Sequence, residues 1–289
     1  MSEARTVGRI LPGKRVTDGA GVPVRRTLGD ARLPMLDPFL LVDELKSSTA
    51  GDLDRGLPQH PHRGIETLTL VIDGQIRVSG SHGIDDTLVA GAAQWTTAAS
   101  GVIHDEMPVP GTGTRAVQVW LNMPRAEKME PPRITTLRPE EIPVVTMASG
   151  AQVAVVAGSL QGTNGPVHTG HTRPSVFDVV LPPSAGVNLD IVREKTAVLY
   201  VLEGQGMFGI TGTSTGEMVG RGHLILLNAG DVLKVLSGQA GCRFLVLAAI
   251  PIGEPVCRYG PIVMTTPDEI DQAVSDYHAN AFLRHARRD

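Results

Sequence analysis

The chain has 289 residues, 42% of them hydrophobic, with 26 Lys and Arg against 30 Asp and Glu, for a formal net charge of −4. That charge and a pI near 6.1 exclude a general nucleic-acid binder, whose footprint would be a basic face. No uninterrupted apolar run approaches the ~20 residues a membrane helix requires, so neither direct nucleic-acid binding nor membrane insertion is expected.

The 33 glycines and 21 prolines, set among Val, Ile, Leu and Thr, favour many short strands joined by tight turns. From Arg5 to Val24, short apolar stretches alternate with Gly and Pro, which predicts strands at a sheet edge. Leu36–Glu44 is an apolar strand bracketed by carboxylates, followed by a polar loop through Gly51 to Gly56. Thr67–Ile72 is a strand, and Asp73-Gly74 reads as a hairpin turn. Further strands fall at Gln75–Ser79 and Thr87–Ala90, and Arg115–Leu121 reads as a buried strand.

Between Pro58 and Pro108 lies the chemistry. His60 and His62 are two apart, and so are His104 and Glu106. Side chains two apart on a strand share a face. Each pair can therefore aim two donors at one point, and two neighbouring strands can supply four. Three imidazoles and a carboxylate suit a divalent transition metal: Fe(II), Mn, Ni, Co, Cu or Zn. Asp105, between the second pair, points to the other face.

After Asn122-Met123-Pro124 the composition changes. Lys128 to Glu141 carries Pro131, Pro132 and Pro139, and reads as a linker or extended crossover. Strands resume at Val144, and Val198–Gln205 echoes Leu68–Gln75, which suggests two copies of one barrel or sandwich. The expected division is 1–130, carrying the metal site, and 131–289. The ligands do not repeat: the positions equivalent to His60 and His62 are Asp190 and Val192. The chain ends in a helix with Thr266 as N-cap, Pro267 at N1 and Glu269 completing a capping box. Ile270, Ala273, Val274 and Tyr277 form its apolar face. The basic run Arg284-His285-Ala286-Arg287-Arg288 reads as a solvated tail.

Several of these segments resemble the pirin family of the cupin superfamily. They are Leu36–Glu44, the His60-Pro61-His62-Arg63-Gly64 run with Glu66-Thr67, Gln94-Trp95 and Gly101–Pro108. Trp120–Pro124, Lys128-Met129 and Tyr259–Met264 also fit. The resemblance covers nearly the whole chain. It implies an all-β fold of two tandem cupin-type antiparallel barrels (a bicupin) with a short C-terminal helix. It also implies one metal, usually iron, held by His60, His62, His104 and Glu106. Departures at Val78–Gly83, Ala92-Ala93 and Thr96–Ser100 border the site without touching a ligand.

The resemblance implies two functions. One is a quercetin 2,3-dioxygenase-like oxidoreductase, with a flavonol and dioxygen as substrates and Glu106 as both ligand and catalytic base. The other is a non-catalytic, redox-sensitive regulatory module that binds a protein partner, as a transcriptional coregulator or on an enzyme. Glu66 is expected to orient a histidine or an arginine, and Arg63 to pair with Glu66 or another carboxylate. His82, His168 and His171 read as solvated, and His223, Cys242 and Cys257 as structural. Two cysteines make no disulfide framework, and with no apolar leader after Met1–Arg5 the expected location is the cytoplasm.

Overall fold

The computed structural model describes residues 2–18, 21–46 and 56–285. The predicted loop at 51–55 and the tail residues from Ala286 onward lie outside them. The paired strands run antiparallel, and among the described residues one α-helix, Pro267–His278, follows them.

Contacts divide the chain into two units, Arg15–Pro139 with Ile252–Asp289, and Met1–Lys14 with Glu140–Pro251. Relative to a simple cut at 130, each unit claims one chain end from the other. The reasons are local. Val7–Pro12 pairs with His223–Leu227. The C-terminal helix is held by Arg63, which lies beside the paired histidines. Arg63 is 1% exposed, and its Nη1 donates to Asp276 Oδ2 at 2.7 Å.

The histidine-bearing unit faces a seven-stranded sheet with a four-stranded one. The larger sheet runs Arg133–Leu137, Ala93–Thr97, Ile65–Asp73, Arg115–Asn122, Phe39–Lys46, Pro23–Leu28 and Lys14–Thr17. The smaller runs Leu57–His62, Val102–Pro108, Gln75–Gly80 and Asp85–Val89. Asp73-Gly74 is a tight turn, with Gly74 at φ 71°, but not a hairpin. Ile65–Asp73 pairs within the larger sheet and Gln75–Gly80 within the smaller, so the turn is a corner between sheets. The predicted linker contains a strand, Arg133–Leu137, which pairs with Ala93–Thr97.

Thr67 and Thr69 explain how the larger sheet can be buried on both faces. Every residue from Ile65 to Ile72 is buried, yet polar threonines alternate with leucines. Leu68 opposes Trp95 and Val119, while Thr69 opposes Gln94 and Gln118. With side chains alternating, one face carries Leu68, Trp95, Val119 and Glu66. The other carries Thr69, Gln118 and Trp120, and this is the face toward the histidines.

Glycines enforce two close approaches around the smaller sheet. A Cβ on Gly80 would stand 2.7 Å from His104 Cβ, and one on Gly64 would run into the Val263 carbonyl. Gly64 is also at φ 74°, a conformation that favours glycine. Lys128 fastens the same region, its Nζ donating to Gly64 O, Asn122 Oδ1 and Val263 O at 2.7, 2.6 and 3.0 Å. Burial brings the Lys128 pKa down to about 8.

The second unit is built on a nine-stranded sheet around Thr196–Phe208 and Val232–Ala249. Its apolar core includes Phe208 and Phe244, whose rings meet edge to face at 5.2 Å. The echoed segment lies in Thr196–Phe208, whose register against Val232–Ala249 slips at Val201/Glu203 and Gly204/Gly206. Glu203-Gly204 thus marks a bulge where Asp73-Gly74 marks a corner.

The helix forms as expected. Thr266 Oγ1 accepts from Glu269 N at 3.3 Å, and Glu269 Oε2 accepts from Thr266 N at 3.0 Å. Ile270, Ala273 and Val274 pack with Ile262, Met264 and Phe282. Tyr277 sits at the margin of that face, edge-on to Phe282 at 5.6 Å and 40% exposed.

Candidate metal centre

Leu57–His62 and Val102–Pro108 are adjacent, with His104 directly opposite His60. That register and the two-residue spacing bring three imidazoles together. One donor atom from each of His60, His62 and His104 lies within 4.8 Å of the others. The rings of His60 and His62 are 4.6 Å apart, those of His60 and His104 4.6 Å, and those of His62 and His104 5.0 Å.

The nitrogens fit a metal. His60 Nδ1 lies 2.8 Å from the Pro58 carbonyl, an acceptor only, so Nδ1 carries the proton and Nε2 presents its lone pair. That Nε2 is 2.9 Å from His62 Nε2. His104 is 1% exposed, and neither of its ring nitrogens has a hydrogen-bond partner among the described residues. A buried, unpartnered imidazole is costly, and a metal among the three would take up the lone pair of one of its nitrogens. Burial holds His62 well below its ordinary pKa, helped by the charges of His60 and His104. Burial likewise takes His104 to about 4. Both rings are therefore neutral at pH 7, as ligands must be.

Glu106 is on the same inward face of its strand as His104, 4% exposed. Its carboxylate is not among the donors gathered within 4.8 Å. Instead Oε1 accepts from Thr69 Oγ1 and Oε2 from Gln118 Nε2, both at 2.6 Å. Gln118 is itself aimed by Trp120, whose Nε1 donates to Gln118 Oε1 at 3.2 Å. A void of about 20 Å³ borders Glu106, Thr69 and Gln118, room for about one water molecule. Asp105 faces the other way and accepts from Ser79 Oγ.

One expectation about neighbours needs correction. Glu66 orients neither a histidine nor an arginine. Its Oε1 accepts from Thr97 Oγ1 at 2.8 Å and Trp95 Nε1 at 3.2 Å, on the face away from Thr69. Burial raises its pKa. Arg63 pairs with a carboxylate as expected, Asp276 rather than Glu66, and its Nε and Nη2 donate to the Ser100 and Phe282 carbonyls at 2.7 Å. The turn at Gly64 separates Arg63 from the strand that carries Glu66, so their alternation patterns are not continuous.

Of the other histidines, His168 and His171 are exposed. His82 is held rather than solvated, its Nε2 3.1 Å from the Gly101 carbonyl. His223 Nδ1 lies 3.0 Å from the Gly220 carbonyl, a structural contact. Cys242 and Cys257 are free thiols.

A cavity of about 870 Å³ opens beside the cluster, with His60, Gln118, Trp120, Arg258, Tyr259 and Tyr277 among its lining residues. Its size suits a flat polycyclic molecule. Trp120 meets His62 edge to face at 5.1 Å. Gln118 could have been singled out from the sequence as the lone uncharged polar residue between Val117 and Val119. Arg258 and the two tyrosines carry no such local signal.

The family model described as Pirin matches residues 21–121, and that of the Pirin C-terminal cupin domain matches residues 176–283. A pirin-like protein of Caulobacter vibrioides is 35% identical, over 96% of this chain and 99% of its own length. One from Solanum lycopersicum is 36% identical, over 98% and 96%. The crystal structure of a quercetin 2,3-dioxygenase from Acinetobacter baumannii superposes with a TM-score of 0.85 at 28% identity, covering 96% of this chain and 98% of that one.

Proposed function

Since this chain belongs to the pirin family, we propose that it is a metal-dependent dioxygenase that opens flavonols of the quercetin type. The observation that carries the reading is the triad of His60, His62 and His104, with His104 unpartnered among the described residues, beside a cavity of flavonol size. The likeness to a quercetin 2,3-dioxygenase supports the choice of chemistry.

His60, His62 and His104 would hold one divalent ion, with Glu106 as the fourth donor and Fe(II) as the preferred metal. When bound, the metal would acidify the flavonol 3-hydroxyl and hold the substrate for dioxygen. The remaining work falls to the chain. Glu106 accepts the 3-hydroxyl proton on a carboxylate oxygen, exchanging a bond from Thr69 or Gln118 for it. Gln118 keeps the carboxylate facing inward, and Trp120 fixes which way the Gln118 amide points. The apolar wall of Trp120 and Leu57 excludes water from the substrate's rings.

This reading assigns the protein to the cytoplasm, and the free thiols of Cys242 and Cys257 support that assignment. Among the described residues no helix is long and apolar enough to cross a membrane. The test is a sealed assay of metal-loaded protein with quercetin and dioxygen. Turnover requires one carbon monoxide released per flavonol opened, at a rate above that of free metal in buffer. No release with iron, manganese, nickel, cobalt or copper would remove the enzymatic reading.

A further inference from the structure

Arg258 stands on the cavity wall, and among the described residues no carboxylate forms an ion pair with it. It lies on the short strand Cys257–Tyr259, exposed and turned over the Trp120 ring, with its guanidinium carbon 5.0 Å from the ring centroid. Its Nε donates to the Gly260 carbonyl at 3.0 Å and its Nη1 to the Leu40 carbonyl at 3.4 Å. No carboxylate pairs with it among the described residues, and its Nη2 has no acceptor there.

The carboxylate whose charge reaches it is Asp43. Asp43 is already held by the fork of Arg26, at 2.9 Å from Nε and 2.6 Å from Nη2. Arg258 therefore offers an unused pair of donors, stacked and pre-aimed, in the cavity that also contains His60. One ring links the two ends. Trp120 is in contact with both His62 and Arg258.

We infer that Arg258 is a specificity residue, selecting flat aromatic ligands that carry a carboxylate or phenolate at the end remote from the metal-binding oxygens. The inference rests on the metal-centre reading proposed above and adds the charge of the ligand to it. A flavonol lying along Trp120, with its 3-hydroxyl toward the histidines, extends its outer ring toward Arg258. A neutral ring there gains only contact with the guanidinium, whereas an anion gains a charge-assisted hydrogen bond as well.

The test uses the nickel(II)-loaded protein under nitrogen, where flavonols bind without being consumed. The probes are 3-hydroxyflavone and its 4′-carboxylate, each followed by its absorption shift and by calorimetry. Wild type should bind the carboxylate about tenfold more tightly, in the range of a partly screened charge-assisted bond. Arg258→Met, which keeps the stem packed on Trp120, should abolish that preference and leave 3-hydroxyflavone affinity nearly unchanged. Arg258→Lys should keep part of it, and added salt should shrink it in wild type.

Equal affinities in wild type, or a preference that survives in Arg258→Met, would overturn the assignment while leaving the metal centre intact. If neither flavonol binds and neither absorption shifts, the metal-centre reading fails and the assignment falls with it.

Discussion

Arg63 and Asp276 form an ion pair of 2.7 Å with side chains only 2% and 9% exposed, joining the residue after His62 to the C-terminal helix. Gln272 and Arg284 also donate to Asp276, and Phe282 lies beneath the Arg63 guanidinium at 4.1 Å. The helix is thus part of the frame that carries the histidines.

Asp276→Ala should cost about 3 kcal/mol, because it leaves a buried guanidinium without its charge partner. The measurement is a urea melt of the metal-free protein. A loss within ~0.5 kcal/mol, the range of ordinary surface changes, would mean that the helix is only loosely attached.

The same carboxylate sets a pH dependence. Burial pushes the Asp276 pKa up, but bonds from Arg63, Gln272 and Arg284 outweigh it and hold it at about 2, against 3.8 for a free aspartate. A depressed carboxylate pKa stabilises the fold fully above the unfolded value and loses that contribution as pH falls through the folded one. Wild type should therefore lose stability between about pH 4 and pH 2, and Asp276→Asn should show a shallower slope there. Parallel slopes would show that Asp276 does not titrate with unfolding.

Glu106→Gln should lower oxygen-dependent flavonol turnover by ~10²–10⁴-fold, since an amide cannot take the substrate proton. Asp105→Asn, on the outward face beside Ser79, should be nearly silent. Comparison at equal metal content separates loss of the base from loss of the ion. Full turnover by Glu106→Gln would remove the base assignment and leave the histidine site standing.

The histidine triad was legible because strand geometry turns a spacing of two into a shared face, whatever the rest of the fold. The capping box of the helix was legible for the same reason, being set by Thr266, Pro267 and Glu269 alone. What the sequence could not disclose depends on contacts between distant segments. Asp73-Gly74 looks the same whether its flanking strands pair or part into two sheets. Arg63 has local carboxylates to choose from, yet binds Asp276, 213 residues away. Arg258 meets Trp120 only because the chain returns to the first barrel after Pro251. Glu106 is intermediate: its inward direction follows from alternation, whereas its bonds to Thr69 and Gln118 need the facing sheet.

Elemental analysis of protein purified without added metal tests most directly whether His60, His62 and His104 hold one metal ion. Wild type should carry close to one equivalent of transition metal per chain after dialysis. His104→Ala should lose most of it while keeping a folded circular dichroism spectrum, and His223→Ala, whose ring contacts only backbone carbonyls, should retain it. A His104→Ala protein that keeps its full equivalent of metal would contradict the account.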